Sequence, residues 1–250
     1  MRTPLVMGNW KLFGTKDSIS MLIKGIEGAA NAQTNVNVVV CPPTIYMEHV
    51  ANLITHNQIQ LGAQDVSTNM SGAYTGETSS MMAKEFSAKY TLVGHSERRQ
   101  YHNETNELVA EKFIAAQKGG LIPVLCIGET LEDRENNRTF NILEAQLQAA
   151  LDLAGIDAFE NAVIAYEPKW AIGTGKVASS AQAQEVHSHV RSWLAVLNPV
   201  IAQNIPIIYG GSVKADNAKE LFAQPDIDGG LVGGAALIAN EFVGIIEAAQ

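Results

Sequence analysis

Residues 162–170 read Ala162-Val163-Ile164-Ala165-Tyr166-Glu167-Pro168-Lys169-Trp170, an unbroken apolar run that stops at a single carboxylate. A run so short, without alternation, is the pattern of a parallel strand covered on both faces. Pro168 ends it, because proline has no N–H to donate and holds the preceding residue extended. Beyond it, Lys169-Trp170-Ala171-Ile172 leads to Gly173-Thr174-Gly175 and then Lys176, Val177 and Ala178, with neither helical nor strand period. The stretch 168–178 therefore reads as a loop, stiff at Pro168 and permissive at its two glycines, beside a candidate acid.

The same signature recurs eight times: Leu5–Met7, Val36–Cys41, Ile59–Ala63, Tyr90–Val93, Leu121–Ile127, Ala162–Tyr166, Ile205–Tyr209 and Ile227–Val232. Between the runs lie helical spacings, such as Ile19, Leu22, Ile23 and Ile26, or Val186, Val190, Leu194 and Leu197. Shorter helical patterns fall at Met81 to Phe86, Ala218 to Phe222 and Phe242 to Ile246. Strand then helix, repeated, implies right-handed parallel crossovers. An open sheet would have visibly polar edge strands, whereas these runs resemble one another in length and character. The expectation is an α/β chain forming one closed (β/α)8 barrel domain over 1–250.

The residues that leave each run point to function. Asn9-Trp10-Lys11 leaves the first, Pro42-Pro43 the second, Gln64 the third and Gly94-His95-Ser96-Glu97 the fourth. Gly128-Glu129 leaves the fifth, Glu167 the sixth, Gly210-Gly211-Ser212 the seventh and Gly233-Gly234 the eighth. In a parallel barrel all these exits open on one face, so the scattered residues converge. A carboxylate, an imidazole and an ammonium group together suit proton transfer next to a carbonyl, Glu167 as base, with His95, Lys11 and Asn9 facing the oxygen where charge develops. The glycine turns after strands seven and eight suit a phosphate, which backbone N–H groups can approach closely.

Composition narrows the remaining choices. Seventeen Lys plus Arg against 26 Asp plus Glu give a formal charge of −9, which disfavours broad contact with nucleic acid or an anionic membrane. Cys41 and Cys126 each sit inside an apolar run and read as buried reduced thiols. The first apolar run is too short for a signal-peptide core and none approaches a membrane span, so the expected location is the cytoplasm. Gly173 to Ala178 has the spacing of a dinucleotide fingerprint but comes after Pro168-Lys169-Trp170 instead of a strand. Val177 stands where a Walker loop needs Ser or Thr. His187 and His189 lie two apart on a helix and point in different directions, so no metal is expected, and no cofactor. The irregular segment 65–79 is either a flexible loop or an interface.

Taken with Gly72-Ala73-Tyr74-Thr75-Gly76-Glu77, Arg98-Arg99 and Leu231-Val232-Gly233-Gly234-Ala235, these motifs resemble the triosephosphate isomerase family from end to end and in its order. The resemblance implies a homodimeric TIM barrel that interconverts dihydroxyacetone phosphate and glyceraldehyde 3-phosphate in glycolysis and gluconeogenesis. By the same resemblance Glu167 is the base, His95 the neutral electrophile, and Asn9 and Lys11 the oxyanion and substrate-charge partners. Glu97 supports Lys11, Ser96 holds the base in an open state, and Glu129 partners Trp170. Phosphate meets Gly173, Ser212, Gly233 and Gly234. The 168–178 loop becomes a catalytic lid, and 65–79 a dimer arm, with Thr75 and Gly76 reaching the neighbour. Two positions depart from the pattern, Ala236 for serine and Phe13 for asparagine. A Schiff-base aldolase using Lys11, and a barrel that binds sugar phosphates without turnover, are the alternatives.

Overall fold

The computed structural model describes residues 2–32, 35–55, 58–172 and 178–250. Eight parallel strands close into a barrel in chain order. They are β1 Leu5–Asn9, β2 Asn37–Cys41, β3 Ile59–Ala63, β4 Tyr90–Val93, β5 Ile122–Ile127, β6 Val163–Tyr166, β7 Ile207–Tyr209 and β8 Gly229–Val232. The expected architecture is the observed one, and the ladders trim the apolar runs by one or two residues. Leu121, Ala162, Ile205 and Ile227 are buried but unpaired in the sheet, because burial continues past the last ladder bond. β1 instead runs two residues past Met7, since Gly8 and Asn9 pair with Val40 and Cys41.

Among the described residues the surrounding helices are α1 Lys16–Ala32, α2 Met47–Leu53, α3 Ser80–Glu85, α4 Ser96–Tyr101, α5 Asn106–Lys118 and α6 Leu131–Glu135, then α7 Thr139–Ala154, α8 Ser180–Leu197, α9 Pro199–Asn204, α10 Ala215–Phe222 and α11 Ala239–Ala248. Alternate strand side chains separate two apolar layers. Leu5, Met7, Val39, Leu92, Val124, Cys126, Ala165 and Ile208 belong to one filling the barrel. Val6, Val38, Val40, Val93, Ile164 and Ile207 belong to the other, where Ile19, Ile23 and Ile26 of α1 and Val186, Val190 and Leu194 of α8 cover the outside. Side chains at i, i+3, i+4 and i+7 share one helix face, which is why these particular residues meet the sheet. Leu197, at the end of α8, is exposed.

The apolar residues of the Met81 to Phe86 pattern face outward. Met81, Met82 and Phe86 are exposed, while Ser80 and Ala83 are buried. Ser80 packs against the end of α5, its hydroxyl donating to the Ala115 carbonyl at 2.7 Å, and a Cβ on Gly119 would collide with it.

Closure falls between the first and last strands, with Leu5 to Gly8 in register with Gly229 to Val232. Gly229 sits at φ +133°, and a Cβ there would collide with the Leu5 carbonyl oxygen. Only glycine permits this approach of the two backbones. Among the described residues no helix is long and apolar enough to cross a membrane.

Candidate active site

Asn9 ends β1 with its side chain buried, and its Oδ1 accepts a hydrogen bond from the Lys11 backbone N–H at 3.0 Å. Lys11 itself lies at φ +50°, a left-handed conformation rare outside glycine and common where function constrains the backbone. Two contacts hold it there. Gln64 Nε2 donates to the Lys11 carbonyl at 2.8 Å and to that of Cys41 at 2.9 Å, and Lys11 Nζ meets Glu97 Oε1 at 2.5 Å. The ammonium group is thereby fixed over the barrel mouth.

His95 leaves β4 as the N-cap of α4, and its Nδ1 accepts from the Glu97 N–H at 3.3 Å. Its Nε2 lies 2.9 Å from Glu167 Oε1. Burial disfavours the imidazolium, yet the adjacent Glu167 carboxylate leaves the ring's pKa above its ordinary value. The helix N-terminus opposes that pull: an Nδ1 that accepts a hydrogen bond carries no proton, so this geometry belongs to the neutral ring with its proton on Nε2.

Glu167 directly follows β6 and is 2 % exposed. Oε1 faces His95, and Oε2 accepts from the Ser96 backbone N–H at 2.9 Å. Burial pushes its pKa up, but His95, the Ser96 N–H and Lys11 together outweigh burial and hold the carboxyl below its ordinary value. The contact from Ser96 uses the main chain, so it needs only the first turn of α4 in place.

These residues share one cavity of about 420 Å³ with Gly210, Gly211, Ser212, Gly233 and Gly234. A single 3₁₀ turn, Gly234–Leu237, begins at the second glycine pair. A cluster of ionisable groups at one end and side-chain-free turns at the other fits a small molecule with a reactive carbonyl and an anionic tail. Phe13 joins the wall at the mouth, half exposed. Ala236 does not line the cavity; it is fully buried, and its Cβ packs toward Gly8. Its backbone N–H donates to the Gly233 carbonyl at 2.9 Å, inside the turn that begins at the second glycine pair.

The family model described as Triosephosphate isomerase matches residues 4–249. The chain belongs to the triosephosphate isomerase family. A triosephosphate isomerase from Psychromonas ingrahamii is 72 % identical over 250 residues, covering all of both chains. Those of a Vibrio species and of Photorhabdus laumondii are 55 % and 52 % identical, over all of this chain and 100 % and 98 % of theirs.

Triosephosphate isomerase motifs outside the cavity also have a clear physical setting here. Fully buried Glu129 collects the Trp170 Nε1–H at 2.8 Å and the Tyr166 hydroxyl at 3.0 Å on one oxygen. The Arg134 guanidinium lies 5.0 Å over the Trp170 ring. Lys169 N donates to the Glu129 carbonyl at 3.1 Å, and Ala171 closes a turn onto Pro168 at 2.7 Å. Burial, then the Arg99 charge, lowers the pKa of the Lys169 ammonium. Ala171 and Ile172 reach the cavity wall, and Ala178 is buried on the far side of the loop. Gly173, Thr174, Gly175, Lys176 and Val177 lie outside the described residues. Thr75 and Gly76 are exposed on an irregular segment whose base is clasped by Ser67 N to Thr78 O at 2.8 Å.

His187 and His189 turn to different neighbours, the Asp226 carbonyl and Glu144. Gln64 is visible in the sequence only as an exit residue, and Gln146, which both accepts from Gly128 N and donates to Gly128 O, is not visible at all. A lone amide carries no period, so only the strand-exit position of Gln64 marks it.

Proposed function

We propose that the protein interconverts dihydroxyacetone phosphate and D-glyceraldehyde 3-phosphate through an enediol(ate). The observation that carries this reading is the convergence of Glu167, His95 and Lys11 from three strand ends on one cavity with two glycine turns. Family membership supports it. Glu167 takes the proton from the carbon next to the carbonyl. The electron pair moves to the carbonyl oxygen, which receives hydrogen bonds from the His95 Nε2–H and Asn9 and the field of Lys11. The proton then returns to the neighbouring carbon while His95 moves protons between the two oxygens. In the resting arrangement His95 and the Ser96 N–H keep the carboxylate a weak base. As substrate displaces those contacts, burial acts on Glu167 against the Lys11 charge only, and its basicity rises when it faces carbon.

Gly173, Ser212, Gly233 and Gly234 are assigned to the phosphate, and Pro168 to Ala178 to a lid. An enediolate beside a phosphate can expel it, so a closed, dry site protects the product. A homodimer is supported by exposed apolar side chains on the loops and helices after the first four strands, among them Leu12, Ile45, Tyr74, Met81 and Tyr101. Thr75 and Gly76 then approach the partner's first loop. Both cysteines are free and buried, which suits a reducing cytoplasm. No nucleic-acid or membrane partner is proposed, given the formal charge of −9.

Solvent deuterium exchange into dihydroxyacetone phosphate tests the reading, with Glu167→Asp as control. Exchange by the wild type, strongly reduced in the variant, is expected. No exchange by the wild type refutes proton transfer, and borohydride trapping of a ketose phosphate on Lys11 would select the aldolase instead.

A further inference from the structure

Lys214 stands two residues after Ser212, at the start of α10, and lines the cavity mouth with an exposed side chain. The described wall carries two ammonium groups, Lys11 and Lys214, and two carboxylates, Glu97 and Glu167, beside His95. Lys11 is committed to Glu97 at 2.5 Å. Lys214 has no ion pair among the described residues. The acids near its turn are Asp216, exposed on α10, and Glu241, whose Oε2 accepts from the Ala215 N–H at 3.3 Å. With His95 neutral, the described wall is balanced; without Lys214 it carries one net negative charge, on a chain of formal charge −9. A phosphate dianion approaching such a mouth is repelled before it reaches the glycine turns.

We propose that Lys214 captures the substrate phosphate at the cavity mouth and sets substrate affinity and arrival rate. The inference rests on the isomerase reading above and adds a residue to it. Lys11 lies beside the Gly233 turn, where a Cβ would come within 3.9 Å of its Nζ, but its charge is neutralised by Glu97; a second, unpaired cation at the mouth supplies the attraction that the glycine N–H groups exert only at contact. The contribution is long-ranged and screened by salt, and this separates it from a packing role.

The experiment compares Lys214→Gln with Lys219→Gln, the same charge change on the exposed face of α10, across ionic strength. One charge acting on a dianion from about 8 Å in water changes an equilibrium by roughly three- to tenfold at low salt. The expected result is that kcat/KM of Lys214→Gln falls by about that factor at low ionic strength and converges to within about twofold of wild type near 0.2 M salt. KM rises more than kcat falls, and Lys214→Arg restores the wild-type profile. Lys219→Gln matches wild type, and turnover of unphosphorylated glyceraldehyde is the same in all four proteins. Parallel salt profiles for Lys214→Gln and wild type overturn the proposal, as does an equal loss on glyceraldehyde. Calorimetric binding of inorganic phosphate reads Lys214 independently of turnover: unaltered affinity in Lys214→Gln counts against capture even if the isomerase reading fails.

Discussion

Gly210→Ala is the sharpest test of how the base is positioned. The glycine N–H donates to the Tyr166 carbonyl at 2.7 Å, so the two strand ends are tied. A Cβ built there would lie 2.8 Å from Glu167 Cγ and 3.2 Å from the Tyr166 oxygen. Relief to ordinary contact near 3.4 Å needs a shift of about 0.6 Å, and the side chain yields more easily than the paired backbone. That shift acts on the carboxylate stem, two bonds from the atom that must reach carbon. A misplacement of about 1 Å at a reacting centre costs roughly a hundredfold, so a loss of about 10- to 100-fold in kcat is expected. The Gly233-Gly234 turn stays in place, so KM changes less than kcat. Overpacking is expected to cost about 1–2 kcal/mol, a fall in Tm of roughly 2–8 °C. A coupled isomerase assay and a thermal melt on the same preparation read both quantities. Gly28→Ala on α1, where an added Cβ meets nothing within 4 Å, is the matched control and should keep full activity. Wild-type kcat in a folded Gly210→Ala protein would refute the claim that this contact positions Glu167.

Glu104 is buried against Lys112 at 2.6 Å and Arg98 at 2.6 Å; burial raises its pKa, but the two cations outweigh burial and leave it below its ordinary value. Its contribution is therefore present above the unfolded carboxylate pKa and lost as pH falls through the folded one. Glu104→Gln should lower the urea-derived stability at pH 7 by about 3 kcal/mol and flatten its dependence below about pH 4.5; an unchanged acid limb would contradict this. Burial pushes the Cys41 thiol up to about 12 and that of Cys126 well above its ordinary value. A thiol reagent at pH 8 should label neither until the protein unfolds, and rapid labelling of the native protein would show that these thiols are accessible. Deleting Ile172 to Gly175 should raise phosphate release relative to isomer formation, measured by product ratio; an unaltered ratio counts against a protective lid.

The barrel and its reactive end were readable because both rest on repetition. A covered strand needs apolar residues at successive positions, and a polar residue at each exit marks the same face eight times, so Ile59–Ala63 and Tyr90–Val93 appear at their observed bounds. Asn9, Lys11, His95 and Glu167 were candidates for the same reason. Their mutual geometry was not readable. That His95 meets Glu167 Oε1, while Ser96 holds Oε2 through its backbone, depends on the tilt of two strands and the first turn of α4. The outward direction of the Met81 to Phe86 apolar face was not readable, because hydrophobicity reports a demand for cover without naming the surface that supplies it. Gln64 and Gln146 act on backbone carbonyls brought near by folding, and no local pattern announces such a pairing. A phosphate site was legible in the glycine exits after β7 and β8, and residues 168–178 as a loop beside the acid; the individual phosphate partners, the dimer arm and the lid's role came from resemblance to a family, which supplies arrangements that periodicity does not encode.

The seam at Gly229 also orders events during synthesis. Leu5 to Gly8 emerge first, yet one edge of their strand has no neighbour until Gly229 to Val232 have left the ribosome. For nearly the whole of translation the nascent sheet is an open ribbon with two sticky margins, and the ring shuts only as the last helix is delivered. A side chain at position 229 would therefore act late, leaving a largely folded but unsealed chain prone to self-association instead of one that fails to begin folding.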